Sequence, residues 1–242
     1  VMYTVSDKDK KNCPALKKVV VPPSFLKDKT IPSLGINPLK YVLNNLTGSE
    51  KIQHDKDTLW IELGVYSGKT INYISEHTKH KVYGFDSFMG LQEDWTWNAK
   101  SGSFSDLSGS LPEVNSNVFL IKGYFEKTLP TFIRGNDKKI SFIHVDCDLY
   151  SSTLCALNAF KNNIANGCVL VFDELLNYPG FAGETGELRA WYEFVEENNV
   201  EWEWIGTHGP VQYDVTSITG SSIYDGDLSH KAAIRIKHIK GK

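Results

Sequence analysis

Four acidic residues occur where apolar runs of this sequence end. Glu62 lies in TLWIEL, Asp86 ends KVYGFD, Asp146 ends ISFIHVD and Asp173 ends GCVLVFD. A strand buried on both faces has no use for carboxylates along its length, and ligands of open α/β sheets bind beyond the carboxyl ends of the strands. We therefore expect these acids to share one edge of a sheet, where they would suit a cationic ligand, a ligand with hydroxyl groups or a hard metal ion.

The stretch FIHVDCDLYSST, residues 142–153, carries two aspartates one residue apart. Asp146 stands at the predicted strand end, and it is our first candidate for a general base. Asp148 precedes a helical segment, so we expect it mainly to cap that helix, with direct metal contact as the alternative. His144 lies inside the strand, where a buried and hydrogen-bonded ring is expected rather than a base. His208, in the loop GTHGP at the same sheet end, is a second candidate base, with an inert loop residue as the alternative.

The stretch GVYSG, residues 64–68, separates a predicted strand from a predicted helix. Its two glycines would let the backbone approach a ligand, while the helix N-terminus offers free N–H groups. A dinucleotide site would require G-x-G-x-x-G, and the bulky Tyr66 occupies the position of the second glycine. Asp86 ends the next strand, where an acid can bind two ribose hydroxyls, although an N-cap is the alternative.

Strand-like and helix-like patterns alternate from residue 58 onward, which predicts an α/β fold with a mostly parallel sheet and helices on both faces. A helix over 125–134 is expected to be broken by Pro130. The last two strands have no helical pattern between them, which predicts an antiparallel pair at the sheet edge. The predicted strands are 58–63, 81–86, 117–122, 140–146, 167–173, 201–207 and 232–239.

Composition disfavours some classes of protein and some cellular locations. The 242 residues carry a net charge of −3, which disfavours a nucleic-acid platform, and no apolar run is long enough to span a membrane. The four cysteines lack metal-ligand spacing, so we expect reduced thiols and a cytoplasmic protein. Residues 1–35 read as an arm or linker and 36–242 as the main domain. Val precedes the first Met, as in a fragment of a longer polypeptide or a tag remnant.

Five blocks of the sequence, in this order, resemble the motifs of macrocin O-methyltransferases and related sugar O-methyltransferases. The blocks are IELGVYSGKT, VYGFDSFMGL, IKGYFEKTLP, FIHVDCDLYSST and VLVFDELLNYPGF with a following GE. The resemblance extends from about Leu39 to the last strand. It implies a Rossmann-like class I fold with seven strands and an antiparallel last strand. It also implies S-adenosylmethionine as cofactor and a divalent metal, Mg²⁺ or Mn²⁺, beside the methyl donor.

The same resemblance assigns roles to individual residues. It implies that Asp146, Asp173 and Glu174 bind the metal, although the family often has Asp or Asn at the last of these positions. The cofactor would contact the turns that follow the first three strands, at Glu62, Gly64, Tyr66, Ser67, Gly68, Asp86, Ser87, Gly123, Tyr124 and Phe125.

These expectations combine into a function. We expect methyl transfer to a hydroxyl of a sugar or glycan, with a deoxyhexose such as rhamnose as the favoured acceptor and Tyr178, Glu184 and Arg189 as candidate substrate contacts. Trp95 and Trp97 could stack on the sugar or close over the cofactor, with ordinary anchoring of their loop as an equal alternative. The alternatives are a catechol-type O-methyltransferase, an NAD-dependent oxidoreductase and a non-catalytic domain of a glycan-building enzyme. We expect no nucleic-acid or membrane partner, and a homo-oligomer is possible.

Overall fold

One mixed sheet of seven strands organises the protein. The computed structural model describes residues 21–27, 30–96, 99–178, 181, 186–211 and 230–240. The strands are β1 (Thr58–Leu63), β2 (Val82–Asp86), β3 (Val118–Lys122), β4 (Lys139–Val145), β5 (Ile164–Phe172), β6 (Val200–Thr207) and β7 (Ala232–Ile239). Their order across the sheet is β3-β2-β1-β4-β5-β7-β6. The first five pair in parallel, whereas β7 is antiparallel to both β5 and β6.

The central strands form because their apolar residues are buried on both faces of the sheet. Ile61 in β1 pairs in register with Ile143 in β4, which in turn pairs with Leu170 in β5. All three side chains are fully buried. Continuous apolar strands of this kind are typical of parallel sheets covered by helices on each side.

Helices cover both faces, as the alternating pattern predicts. Four of them, α1 (Pro23–Lys27), α4 (Phe125–Arg134), α5 (Tyr150–Phe160) and α6 (Glu187–Asn198), contribute to one hydrophobic cluster. The other cluster includes residues of α2 (Pro38–Asn45) and α3 (Lys69–Ser75). This arrangement and the sheet order are those of the Rossmann-like class I methyltransferase fold.

Two details differ from the sequence-based expectation. Helix α4 runs without a break through Pro130, which is exposed in the sixth position of the helix. Proline has no backbone N–H, so one carbonyl group of the preceding turn loses its helical hydrogen bond. Because this side of the helix is exposed, water can bind that carbonyl group. The predicted antiparallel pair of β6 and β7 is present. Of these two strands only β6 lies at an edge of the sheet, because β7 lies between β5 and β6.

The segment before the main domain packs on it where the structure describes it. Val21 and Leu26 are buried in the same cluster as α5 and α6. Ser33 forms a parallel bridge with Thr207 at the end of β6. Within the described ranges, the longest helix has 12 residues, and none has the length and apolar character needed to cross a bilayer.

Candidate active site

A pocket of about 310 Å³ opens at the carboxyl ends of β1, β2, β4 and β5. Glycine and acidic residues form its floor, and apolar side chains from the loop after β2 form much of its wall. Its volume lies in the usual range for small-molecule and cofactor sites. The lining residues used below are Gly64, Val65, Tyr66, Asp86, Ser87, Phe88, Gln92, Trp95, Phe104, Leu107, Gly123, Tyr124, Phe125, Asp146, Asp148, Ser152, Asp173 and Glu174.

The turn after β1 requires a glycine at residue 64. Gly64 has φ +84°, and its N–H donates to the carbonyl of Phe85 at 2.9 Å. A Cβ at this position would lie 1.8 Å from the backbone oxygen of Asp146. The turns after β1 and β4 are therefore in direct backbone contact, which only glycine permits.

Asp86 fixes the geometry of two turns at once. Its Oδ2 accepts from the N–H groups of Val65 at 2.8 Å and Tyr66 at 2.9 Å, and its Oδ1 accepts from Phe88 N–H at 2.7 Å. The carboxylate lines the pocket, and Oδ1, which accepts only one of these hydrogen bonds, retains lone-pair capacity for a ligand. Asp86 is thus not a helix cap; it joins the turn after β1 to the loop after β2.

Most of the residues expected around the cofactor line this pocket. Ser87, Gly123, Tyr124 and Phe125 do so, and Gly123 N–H donates to the carbonyl of Asp86 at 2.9 Å. Tyr66 also lines it, and its hydroxyl donates to Asp106 at 2.5 Å.

Two further residues of the glycine turn lie beside the pocket. Ser67 and Gly68 are absent from its described lining, and Gly68 is the N-terminal flanking residue of α3 with φ +79°.

Glu62 lies beneath the site rather than in it, which corrects its expected contact with the cofactor. Its side chain is fully buried, and its Oε1 is 3.0 Å from Nδ1 of His144. Burial raises the pKa of Glu62 to about 7 in spite of this hydrogen bond. Burial alone would lower the pKa of His144, but Asp173 and Glu62 outweigh it and raise that pKa to about 10. As predicted, His144 is a buried, paired histidine.

Three carboxylates converge at the pocket floor. One oxygen each from Asp146, Asp148 and Glu174 lie within 4.8 Å of one another. Burial, followed by repulsion from Asp173, raises the pKa of Asp146 to about 6. Burial and the charge of Asp146 raise the pKa of Asp148 to about 8, and burial also raises that of Glu174 well above its ordinary value.

The expected helix cap at Asp148 is wrong. Leu149 is the residue that flanks the N-terminus of α5, and no side-chain hydrogen bond caps that helix. Asp148 instead adopts φ +61°, and Leu149 N–H donates to the carbonyl of Cys147 at 2.6 Å across it. This γ-turn places the Asp148 carboxylate in the pocket lining, where it is 8% exposed.

Asp173, an expected metal ligand, interacts with two cationic side chains. Lys231, directly before β7, forms an ion pair with its Oδ1, and His144 Nε2 lies 3.7 Å from the same oxygen. Burial would raise the pKa of Asp173, but His144 and Lys231 hold it well below its ordinary value. Asp173 does not belong to either close group of possible ligands found among the described residues.

Sequence reasoning gave a site role to Asp148 only as the alternative to a helix cap, and it missed Lys231 and Glu187. Glu187 begins α6, is fully buried, and has no hydrogen-bond partner for either carboxylate oxygen among the described residues. Burial and the nearby charges of Asp148 and Asp146 raise its pKa well above the ordinary value. A signal existed only for Asp148, which stands two residues after Asp146.

The candidate base His208 is far from the acids. It follows β6, which two other strands separate from β4, so about 14 Å of sheet lies between them at the usual strand spacing. His208 is also absent from the described lining of the pocket.

The expected substrate contacts are not in the described pocket either. Tyr178 is 4% exposed and packs behind Trp95, with ring centroids 5.7 Å apart. Arg189 is 4% exposed, donates to Glu193 at 2.8 Å and lies over the ring of Tyr150. Arg189 lies on a buried part of α6, and Tyr178 packs among the rings of Trp95, Phe181 and His230. Glu184 and Trp97 fall outside the described residues, whereas Trp95 lines the pocket.

The chain is similar to a known protein family in sequence and to several solved proteins in structure. Residues 61–175 match the profile of a family described as a methyltransferase domain. No curated protein gives a significant match. The structure is similar to the calicheamicin methyltransferase CalS11, with 19% identity, a TM-score of 0.47 and coverage of 81% of this chain and 74% of that one. It is also similar to the O-methyltransferase NovP, with 17% identity, a TM-score of 0.49 and coverage of 83% and 78%. A third similar structure is SMU.1697c, a methyltransferase of Streptococcus mutans in complex with SAH, with 16% identity, a TM-score of 0.47 and coverage of 83% and 98%.

Proposed function

We propose that this chain, whose residues 61–175 match the profile of a methyltransferase domain, is an S-adenosylmethionine-dependent enzyme that methylates a hydroxyl group of a sugar with the help of a divalent cation. One observation carries the proposal. A single pocket contains both the glycine turn fixed by Asp86 and the carboxylates of Asp146, Asp148 and Glu174. The first feature suits a nucleoside donor, and the second suits a cation and a hydroxyl acceptor.

The end of the pocket near β2 has the chemistry to bind S-adenosylmethionine. The lone pair that Oδ1 of Asp86 retains can accept a hydrogen bond from a ribose hydroxyl. Apolar walls for a base are available from Phe88, Leu107 and Phe125. When bound, this cofactor supplies an activated methyl group, so the protein must supply orientation and electrostatics.

The opposite end of the pocket has the chemistry to bind Mg²⁺ or Mn²⁺. Carboxylate oxygens are the ligands that these hard cations prefer. Asp146 and Glu174 lie there, and Glu174 Oε2 is buried without a hydrogen-bond partner among the described residues. A bound divalent cation would supply a Lewis acid that lowers the pKa of a coordinated hydroxyl.

The chain's own residues would perform the remaining tasks. Asp146 faces the pocket at the tip of β4 and would accept the proton that the acceptor hydroxyl loses. Trp95, Phe104 and Leu107 border the pocket with apolar surface and would limit access of water to the reacting groups. The charge of His144 below the floor would keep the surrounding carboxylates in place.

A sugar is the acceptor class we favour. The polar groups of Gln92 and Ser152 line the pocket beside the carboxylates and can hydrogen bond to several hydroxyls, while Trp95 offers an aromatic face. The sequence resemblance to sugar O-methyltransferases supports the same class and favours a deoxyhexose such as rhamnose. A catechol would present two adjacent oxygens as well, so the acceptor test must include one.

The test is a direct assay of the acceptor. The purified chain is incubated with S-adenosylmethionine, Mg²⁺ and, separately, methyl rhamnoside, a nucleotide-linked deoxyhexose and catechol, and the products are examined by mass spectrometry. We expect one sugar to gain a methyl group and catechol to remain unchanged. Methylation of catechol with no sugar modified would refute the sugar proposal. The Asp146→Asn variant serves as the control for contaminating activity.

A further inference from the structure

We propose that the cation of this site is bound by Asp146, Asp148 and Glu174, and that Lys231 and His144 keep Asp173 away from it. The inference rests on the proposed metal-dependent function. It replaces one of the three ligands that the sequence resemblance implies with an aspartate from the turn after β4.

The positions of the oxygen atoms are the first argument. In an octahedral Mg²⁺ site with bonds of about 2.0–2.1 Å, two ligand oxygens are about 3–4 Å apart. The oxygens of Asp146, Asp148 and Glu174 already lie within 4.8 Å of one another. Small side-chain adjustments would therefore complete the site without moving the backbone.

An unpaired buried oxygen atom is the second and independent argument. Glu174 Oε2 is buried and accepts no hydrogen bond within the described ranges of the chain. Asp148, which is 8% exposed, lines the same pocket and brings a second carboxylate close to this oxygen. Buried polar atoms without partners are costly, and like charges at this spacing repel. A divalent cation would remove both costs at once.

The backbone of Asp148 also favours this assignment. A helix-capping aspartate would have extended backbone angles and would accept a hydrogen bond from the first turn of the helix. Asp148 has φ +61° at the centre of a γ-turn and leaves the N-terminus of α5 uncapped. The turn therefore gives up a helix cap and directs this carboxylate into the pocket.

Asp173 is the least available of the neighbouring acids. Its Oδ1 forms an ion pair with Lys231 and lies 3.7 Å from His144 Nε2. If Asp173 turned toward a cation, Lys231 would lose this ion pair, while His144 would keep its hydrogen bond to Glu62. The two side chains of this ion pair are 27% and 21% exposed, so separating them costs free energy, although less than separating a fully buried pair.

Binding of Mn²⁺ to the full chain tests the assignment without any need for turnover. Free Mn²⁺ is measured by its electron paramagnetic resonance signal in the wild type and in three variants. We expect Asp148→Asn to weaken Mn²⁺ binding by about tenfold or more, because a charged ligand is lost. Asp173→Asn should change it by less than about threefold. Glu187→Gln is the matched control, because it alters a carboxyl group in the same buried cluster that is not a proposed ligand.

The outcomes separate this inference from the proposed function. A large loss with Asp173→Asn, either alone or equal to that with Asp148→Asn, would overturn the ligand assignment and leave metal-dependent methylation standing. If the wild type binds no Mn²⁺, the ligand assignment and the metal dependence fail together, whereas methylation of a sugar in EDTA would preserve the acceptor class.

A second measurement uses the wild type alone, so it tests the ligand assignment even if a variant fails to fold. Crystals of the wild type soaked in Mn²⁺ locate the ion by anomalous scattering. We expect an ion bonded to Asp148, and an ion bonded to Asp173 instead would overturn the assignment.

Discussion

The backbone oxygen of Asp146 lies so close to Gly64 that a Cβ added to the glycine would be 1.8 Å away. This contact joins the cofactor turn after β1 to the acidic turn after β4. The proposed donor and acceptor halves of the site thus share one backbone junction, and their relative position is set by the packing of two adjacent strands. The first prediction follows from this contact.

Gly64→Ala should abolish cofactor binding and destabilise the protein. The methyl group would collide with rigid backbone, and the residue would also have to keep φ +84°. We expect the free energy of unfolding to fall by more than about 3 kcal/mol. Gly102→Ala is the control, because Gly102 has φ +88° with open space around it and should cost only about 1–2 kcal/mol. Urea denaturation measures both values, and equal losses would contradict the collision.

Asp86→Asn should weaken binding of S-adenosylhomocysteine. The amide cannot accept all three backbone N–H bonds that the carboxylate accepts, and the charge facing the ribose is lost. Hydrogen bonds to charged groups contribute about 1.5–3 kcal/mol, so we expect a loss of at least about tenfold by isothermal titration calorimetry. Asp94→Asn, an exposed acid paired with Lys100 in the loop after β2, should leave the affinity nearly unchanged. Similar effects of the two substitutions would argue against a specific role for Asp86.

Asp146→Asn should stop turnover while the donor still binds. The side chain is the proposed base and a proposed metal ligand, so we expect kcat to fall by about 100-fold or more. Binding of S-adenosylhomocysteine should change by less than about threefold, since the backbone N–H of Asp146 still donates to Leu63 at 2.8 Å. Excess EDTA should reproduce the loss of turnover, and full activity in EDTA would refute the role of a metal.

His54, which lies outside the pocket, should make the free energy of unfolding depend on pH. Its ring is stacked on Trp60 with centroids 4.4 Å apart, and it faces His80 and Asp55. Burial and then the charge of His80 lower its pKa from 6.5 to about 4. The folded protein therefore binds this proton less tightly than the unfolded chain, so the contribution is complete above pH 6.5 and is lost as the pH falls toward 4.

His54→Phe, which retains an aromatic ring, isolates this contribution. The difference in unfolding free energy between wild type and variant should change by about 1–2 kcal/mol between pH 7 and 4, less than the full pKa shift implies because the ring is partly solvated. Denaturant unfolding at several pH values measures it. Parallel pH profiles for the two proteins would contradict the assignment.

The fold could be predicted because its signals are local and repeated. Each central strand is a short apolar run, each intervening helix is amphipathic, and an acid marks several of the strand ends, as at Asp86 and Asp146. The order of β6 and β7 could not be predicted in the same way, because insertion of β7 beside β5 depends on contacts between distant segments. The predicted break at Pro130 was wrong, because an exposed proline one and a half turns into a helix can be tolerated.

Positions in the pocket lining could be predicted where they depend on the strand end that a residue occupies, as for Gly64 and Asp146. Roles could not be predicted where they depend on a dihedral angle or a distant partner. Nothing in the sequence shows that Asp148 has a positive φ, or that Lys231 reaches Asp173. The expected substrate contact at Arg189 failed because packing of α6 decides which side of a helix is buried.

Insertion of β7 between two earlier strands also has a consequence for biosynthesis. β5 and β6 leave the ribosome before β7. β5 can pair with β4 at once, but its other side and β6 have no neighbouring strand until β7 enters the gap between them. Lys231, at the start of that strand, reaches Asp173 only at this last step. A nascent chain will thus have most of its cofactor turns in place while the acidic floor still lacks its lysine counter-ion, so catalytic competence should appear late and abruptly during synthesis.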